Sequence, residues 1–206
     1  MKRLLAILLL AAMLVSLAAC GSKKDENMLG VYTEDSRTYE NSFIGIGCKL
    51  DKDWDVFSAE QIAELNGMLA SQTNDKALAE QLESSGTAMP FYAQKEEGLV
   101  TLNITLENLG MLYGSLLDEK QYAEKSIDQV KPALESMGMS SVTTEIGSIS
   151  FAGSDHVSIT ISGSLQGISF YETLVCVKTE KHMAVITAGS YITDTTKDIL
   201  SLFYAL

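Results

Sequence analysis

The sequence predicts an α+β fold: a central antiparallel sheet with helices on both faces. Three observations carry that expectation. Runs of period-two hydrophobicity fill the second half of the chain and are separated by short turns, and strands joined so tightly must be antiparallel. Apolar residues at helical spacing, opened by capping residues, precede those strands. Another capped apolar stripe closes the chain, and helices before and after a run of strands make an α+β sandwich.

Each element has a local reason. Val31-Tyr32 opens a short strand. Ile44, Ile46, Cys48 and Leu50 alternate with Gly45, Gly47 and Lys49, the pattern of a half-buried strand. Ser58 with Gln61 three residues on is a capping box, and Ile62, Leu65 and Leu69 follow at helical spacing. Asn74 or Asp75 caps a second helix carrying Leu78 and Leu82, which Ser84-Ser85-Gly86 stops. Met89–Lys95 and Leu99–Glu107 form a hairpin across Glu96-Glu97-Gly98. Its second arm sets Val100, Leu102, Ile104 and Leu106 against Thr101, Asn103 and Thr105. Asp118 caps the longest helix, striped by Tyr122, Ile127, Val130, Leu134 and Met137 and ended by Gly138. Pro132 should bend or split it. Strands then run through Val142–Phe151, with a bulge expected near Gly147, then Val157–Ile161, Ile168–Lys178 and Met183–Ala188, with turns at Ala152-Gly153, Gln166-Gly167 and Glu180-Lys181. Asp194 should cap a terminal helix burying Ile199, Leu202, Phe203 and Leu206.

The start of the chain is an address. Lys2 and Arg3 precede a run from Leu4 to Ala19 that is apolar except for Ser16; its sixteen residues fall short of the ~20 a spanning helix needs. That is the form of a secretory signal. Leu17-Ala18-Ala19-Cys20 resembles the lipobox of bacterial lipoproteins. The resemblance implies that the Cys20 thiol receives a diacylglycerol, that cleavage precedes Cys20, and that acyl chains anchor the product to a membrane without spanning it. Residues 1–19 are read as signal, 20–38 as lipidated cysteine and flexible tether, and 39–206 as one domain. The charged, small-residue stretch "GSKKDEN" supports the tether.

Composition excludes whole classes of function. The chain has 15 basic and 27 acidic residues and a net charge of −12. Loss of Lys2 and Arg3 with the signal deepens it, and nucleic acid, which demands a positive footprint, is not an expected partner. Cys48 and Cys176 remain after Cys20 is used; outside the cytoplasm they can pair or stay as buried thiols.

Order and phrase together resemble a family. "YENSFIGIGCKLDKDWDVFSAEQIAELN", Tyr39 to Asn66, resembles the opening of PsbP-like domains: a Tyr and Asn leading a strand, a turn with a Trp, then a Ser-capped helix. The resemblance implies a PsbP-like α/β/α sandwich over residues 39–206. It also implies a non-enzymatic binding or assembly role, since that family includes accessory subunits of membrane complexes.

Candidate chemistry is sparse. Asp51, Asp53 and Asp55 alternate around Trp54, but a calcium loop starting at Asp51 needs Gly sixth and Glu twelfth, where Val56 and Ile62 stand. The acids are read as a solvated turn and Trp54 as a core residue. No G-x-S-x-G elbow, zinc spacing or phosphate loop is present, so no catalytic residue, metal ligand or cofactor is assigned. His156 and His182 sit beside turns, and Glu96-Glu97 reads as solvation of a hairpin tip. The stretch "ENLGMLYGSLL" is apolar on too many sides for a connector. It is either a buried short helix or a surface for a protein partner or a lipid-like ligand, with Leu109, Met111, Leu112, Tyr113 and Leu116 as its candidates. The expected protein is therefore a lipid-anchored binding module facing outside the cytoplasm. The competing reading is a small-ligand carrier or hydrolase with a cleft near Trp54 or Tyr113.

The anchor is directly testable. Intact-mass analysis of the product extracted from its host membrane should find diacylglycerol on Cys20, and Cys20→Ser should move the protein to the soluble fraction. An unmodified thiol on membrane-extracted protein would remove the anchor from the account.

Overall fold

A computed structural model describes residues 26–68, 75–114 and 116–206. It corrects the expected architecture. The chain does not form a central sheet with helices on both faces; strand is its dominant element, and it builds two antiparallel sheets.

The small sheet contains β1 (Val31–Thr33), β2 (Thr38–Asn41), β3 (Ile46–Lys49) and the chain's final strand, in the order β1-β2-β3-β11. Between the two sheets in sequence lie α1 (Ala59–Leu65) and α2 (Asp75–Ser85). The large sheet holds β4 (Asp55–Val56), β5 (Thr87–Lys95), β6 (Val100–Asn108), β7 (Met139–Phe151), β8 (Ser154–Leu165), β9 (Ile168–Thr179) and β10 (His182–Tyr191). Its order is β4-β5-β6-β10-β9-β8-β7. Three more helices are α3 (Gly110–Gly114), α4 (Glu119–Ser136) and α5 (Thr196–Leu200), and β11 is Phe203–Ala205.

Much of the local chemistry was visible. Ser58 and Asp118 both close reciprocal capping boxes, with Gln61 and Gln121. Ala152-Gly153 and Gln166-Gly167 carry paired positive φ values at the hairpins β7–β8 and β8–β9, the geometry that tight two-residue turns require.

Other expectations were overturned. The terminal stripe is not one helix: α5 stops at Leu200, and Phe203 pairs with Cys48 across the small sheet. The bulge in β7 lies between Ser140 and Thr143, where Ser141 takes φ 55°, and not near Gly147. Pro132 stays inside an unbroken α4. Among the described residues, Glu26–Leu29 and Val31–Thr33 already form structure ahead of Tyr39. Met28 and Leu29 are buried, and Asn41 holds that turn by donating from Nδ2 to the Met28 carbonyl at 2.8 Å.

The large sheet separates two cores. On β10, Ala184, Ile186 and Ala188 join Leu102, Ile104, Leu106, Val175 and Val177 in the first, which the small sheet, α1 and α2 complete. Met183, Val185 and Tyr191 join Leu174, Cys176, Ile159 and Ile161 in the second, beneath Tyr122, Val130 and Leu134 of α4. Every residue of β10 is buried.

Glu119, the first residue of α4, fastens that helix to the sheet. Its carboxylate accepts from the Val157 N–H and the Lys178 N–H, both at 3.0 Å, and lies 2.9 Å from His156 Nδ1. Val157 closes the β8–β9 ladder by pairing with Cys176, and Lys178 lies two residues past that pair, where the two strands part. The carboxylate thus satisfies N–H groups that the ladder no longer can.

Candidate functional site

The most site-like concavity is a cavity of about 350 Å³ between the small sheet, α1, α2 and β5. Tyr32, Tyr39, Phe57 and Phe91 supply its rings, and Val56, Ile62, Ala63, Met68, Leu78 and Pro90 the aliphatic wall. Tyr39 and Phe91 stack at 4.5 Å between centroids, with Tyr32 6.1 Å from Phe91. Gly30 is required at its lip: with φ +71° it leaves room for Tyr39, whose hydroxyl a Cβ there would approach to 2.5 Å. The few polar atoms on the wall are engaged. Tyr39 Oη donates to the Leu29 carbonyl, while Ser58 Oγ donates to Glu60 and accepts from the Gln61 N–H. Among the described residues no Asp, Glu, His, Lys, Arg or Cys lines the cavity. It can hold an apolar or aromatic group and offers no general base or nucleophile pair.

The acidic trio is used structurally. Asp51 Oδ2 pairs with Lys95 Nζ at 2.8 Å, and its Oδ1 accepts the Asp53 N–H. These contacts hold the Asp51 carboxyl below its ordinary range. Arg37 donates to the Asp51 and Trp54 carbonyls, and Gln94 donates to Asp55. Trp54 is buried, with Lys95 Nζ 5.0 Å from its ring centre. Among the described residues no three His, Cys, Asp or Glu side chains gather as a metal-binding group. The cleft expected near Trp54 therefore opens two or three residues beyond it, at Val56 and Phe57.

The segment after β6 divides. Leu109 and Leu117 are buried in the second core; Tyr113 and Leu116 are 46% and 68% exposed. Met111 lies in α3 with Leu112, and the side chains of both fall outside what is described. Gly114 packs directly on Lys181, where a Cβ would meet the backbone at 2.7 Å. No described cavity includes Tyr113. Cys20 and the signal lie outside the described residues. Cys48 and Cys176 are free thiols in opposite cores, and burial pushes both up, Cys48 to about 12.

Sequence reasoning missed the aromatic cavity because its rings come from four separate stretches with no shared motif. It also misread β6. Thr101, Asn103, Thr105 and Glu107 share the face opposite the leucines, and all are buried. Burial raises the carboxyls of Glu107, opposed by the nearby Tyr122 hydroxyl, and of Glu172 to about 8. His182, edge-on to Phe43 at 5.2 Å, moves the other way. Burial, then Lys181, lowers it to about 4 against the pull of Glu83.

No family model matches the chain, and no curated protein matches it. Among solved structures it is similar to a Bacteroides thetaiotaomicron protein with a TM-score of 0.43 and 10% identity, over 79% of this chain and 45% of that one. It is also similar to LpqN, involved in cell envelope biogenesis of Mycobacterium tuberculosis, with a TM-score of 0.37 and 10% identity, over 77% of this chain and 82% of LpqN. The chain thus spans less than half the Bacteroides protein, and overlaps this loose transfer neither site nor activity. Among the described residues no helix is long and apolar enough to cross a membrane.

The pKa shifts predict an unusual pH response. A carboxyl raised from 4.5 to about 8 contributes fully below 4.5, and that contribution is lost as pH rises through 8. A histidine lowered from 6.5 to about 4 contributes fully above 6.5, and that contribution is lost as pH falls through 4. Between pH 6.5 and 8 only the carboxyls act, so stability in urea should fall as pH rises, by up to about 1.4 kcal/mol per pH unit for each group. Glu172→Gln should flatten that slope. A flat or rising wild-type profile would contradict the burial of these acids.

Proposed function

We propose that the protein is a lipid-anchored, extracytoplasmic, non-enzymatic binding module whose aromatic cavity receives a small uncharged, apolar or aromatic ligand. One observation carries the reading: four rings and an aliphatic wall enclose about 350 Å³ with no carboxylate, imidazole, amine, guanidinium or thiol among the described lining residues. Pockets for small molecules start at roughly 300 Å³ and are lined mainly by such side chains, with a few polar groups for orientation. The wall is built from both sheets' borders and two helices, so its shape is fixed by the first core itself. The basic start, the short apolar run and Leu17-Ala18-Ala19-Cys20 support the anchor and the address.

A neutral fluorescent probe, N-phenyl-1-naphthylamine, tests the cavity against its rival, the Leu109–Leu117 surface. Val31 is 66% exposed and lies at the rim, so Val31→Trp should fold normally and obstruct the opening. Probe binding should weaken at least tenfold in Val31→Trp and in Phe57→Ala, and stay unchanged in Leu116→Ala. Weakening confined to Leu116→Ala would move the binding surface to that segment.

A further inference from the structure

The two borders of the large sheet are finished differently. The β5 border is covered. β4 pairs with Ala93 and Gln94, and the Phe57 N–H donates to the Tyr92 carbonyl. Asn66 takes both backbone groups of Met89: its Oδ1 accepts the N–H at 2.8 Å, and its Nδ2 donates to the carbonyl at 2.9 Å. Pro90, next along, has no N–H to satisfy.

The β7 border is bare. Among the described residues β7 pairs only with β8, and no backbone hydrogen bond reaches its outer edge. Its 13 residues contain one charge, Glu145, and neither Lys nor Pro. Edge strands are ordinarily short, bulged, or guarded by Lys or Pro, because a row of unpaired N–H and C=O groups is a template for another strand. The bulge in β7 lies at its start, and from Thr143 to Phe151 it pairs residue for residue with β8. None of Thr143–Ser150 is buried. A hollow of about 590 Å³ lies over Glu145, Gly147 and Ile149, which leaves that face of the run open. The other sheet edges, β1, β4 and β11, are strands of two or three residues.

We propose that this edge pairs with the same edge of a second copy of the chain, antiparallel and centred on Gly147, joining two large sheets into one. Opposed residues in a sheet share a face, so a two-fold axis normal to the sheet must pass through a residue and never between two. Gly147 is the midpoint of the regular run Thr143–Phe151, and any other centre shortens the pairing. The full run spans roughly 30 Å at strand rise. This centre sets Glu145 against the partner's Ile149, Thr144 against the partner's Ser150 and Ile146 against the partner's Ser148. No like charges then face one another, whereas a centre at Glu145 would oppose two carboxylates. The same axis keeps the small sheet, with Met28 and Leu29 packed in the first core, on one side of the joined sheet in both copies. Both chain starts face one way, so two anchored copies can share one membrane. Confinement there gives a second copy a high effective concentration that a peptide in solution lacks. That advantage rests on the proposed anchor; the pairing geometry does not, and neither draws on the aromatic cavity. The net charge of −12 on each chain opposes association, so pairing should tighten as salt screens it.

Sedimentation of the full chain in neutral detergent, across concentration and salt, tests the proposal together with disulfide trapping. A concentration-dependent dimer, tighter at higher salt, is expected. Opposed Cα atoms lie about 4.5–5.5 Å apart, within the range a disulfide spans. A Cβ at Gly147 meets only Ser158 Oγ, at 3.5 Å, so the site accepts a side chain. Gly147→Cys should therefore trap the dimer under mild oxidation, while Ser148→Cys, set against the partner's Ile146, should not. Gly147→Cys should trap equally in detergent when combined with Cys20→Ser, which separates the pairing from the anchor. Ile149→Glu, which opposes carboxylates on both sides of the axis, should weaken dimerisation severalfold, and Ile149→Lys should not. Circular dichroism confirms that each variant is folded, and the cysteine pair carries the test should an Ile149 variant fail. A monomer at every concentration, no trapping by Gly147→Cys, equal trapping by Ser148→Cys, or an edge filled instead by an unrelated extended peptide would each overturn the proposal.

Discussion

Everything in this fold hangs on β10 being buried along its whole length. A strand hydrogen-bonded on both edges, to β6 and β9, and covered on both faces has no solvated side. Its alternating residues must therefore serve two different cores: Ala184, Ile186 and Ala188 in one, Met183, Val185 and Tyr191 in the other. The small residues on the first face let the small sheet approach. The larger ones on the second meet α4. The strand's buried apolar side chains contribute about 25 cal/mol for each Å² of apolar surface removed from water.

That division also separates two chemistries. The first core ends in an aromatic cavity at the border with β5, where ring stacking shapes a space free of charge. The second face bears a polar stripe whose acids are forced by burial toward their neutral forms. Glu119 belongs to the same economy of unsatisfied groups, but there the carboxylate answers two backbone amides and a histidine. The contrast is informative. The half-buried Glu119 carboxylate is matched to backbone and histidine donors, Glu107 meets the Tyr122 hydroxyl, and the fully buried Glu172 carboxyl has no partner among the described residues.

What could be seen in the sequence was local. The Ser58 and Asp118 boxes close within four residues, and the turns at Ala152-Gly153 and Gln166-Gly167 need only their own φ angles. The second sheet was invisible because its strands are three or four residues long and β3 finds its partner, Phe203–Ala205, at the far end of the chain. Leu202 and Phe203 fell at helical spacing from Ile199, so periodicity alone extended α5 through a strand. Alternation in β6 showed correctly that Thr101, Asn103 and Thr105 share a face, but not that the face is buried. The sequence also offered no sign that Tyr32, Tyr39, Phe57 and Phe91 would meet around one cavity, because convergence of distant rings has no periodic trace.

Native-state hydrogen exchange, read amide by amide, tests the central role of β10 most directly. The amides of Ala184–Ala188 and Leu102–Leu106 should exchange only through global unfolding, sharing one free energy and one dependence on urea. Amides of the four-residue strands β2 and β3 should exchange earlier, by partial opening of the small sheet. Exchange of β10 amides at the rate of Thr38–Asn41, or with a smaller urea dependence than global unfolding, would contradict the account.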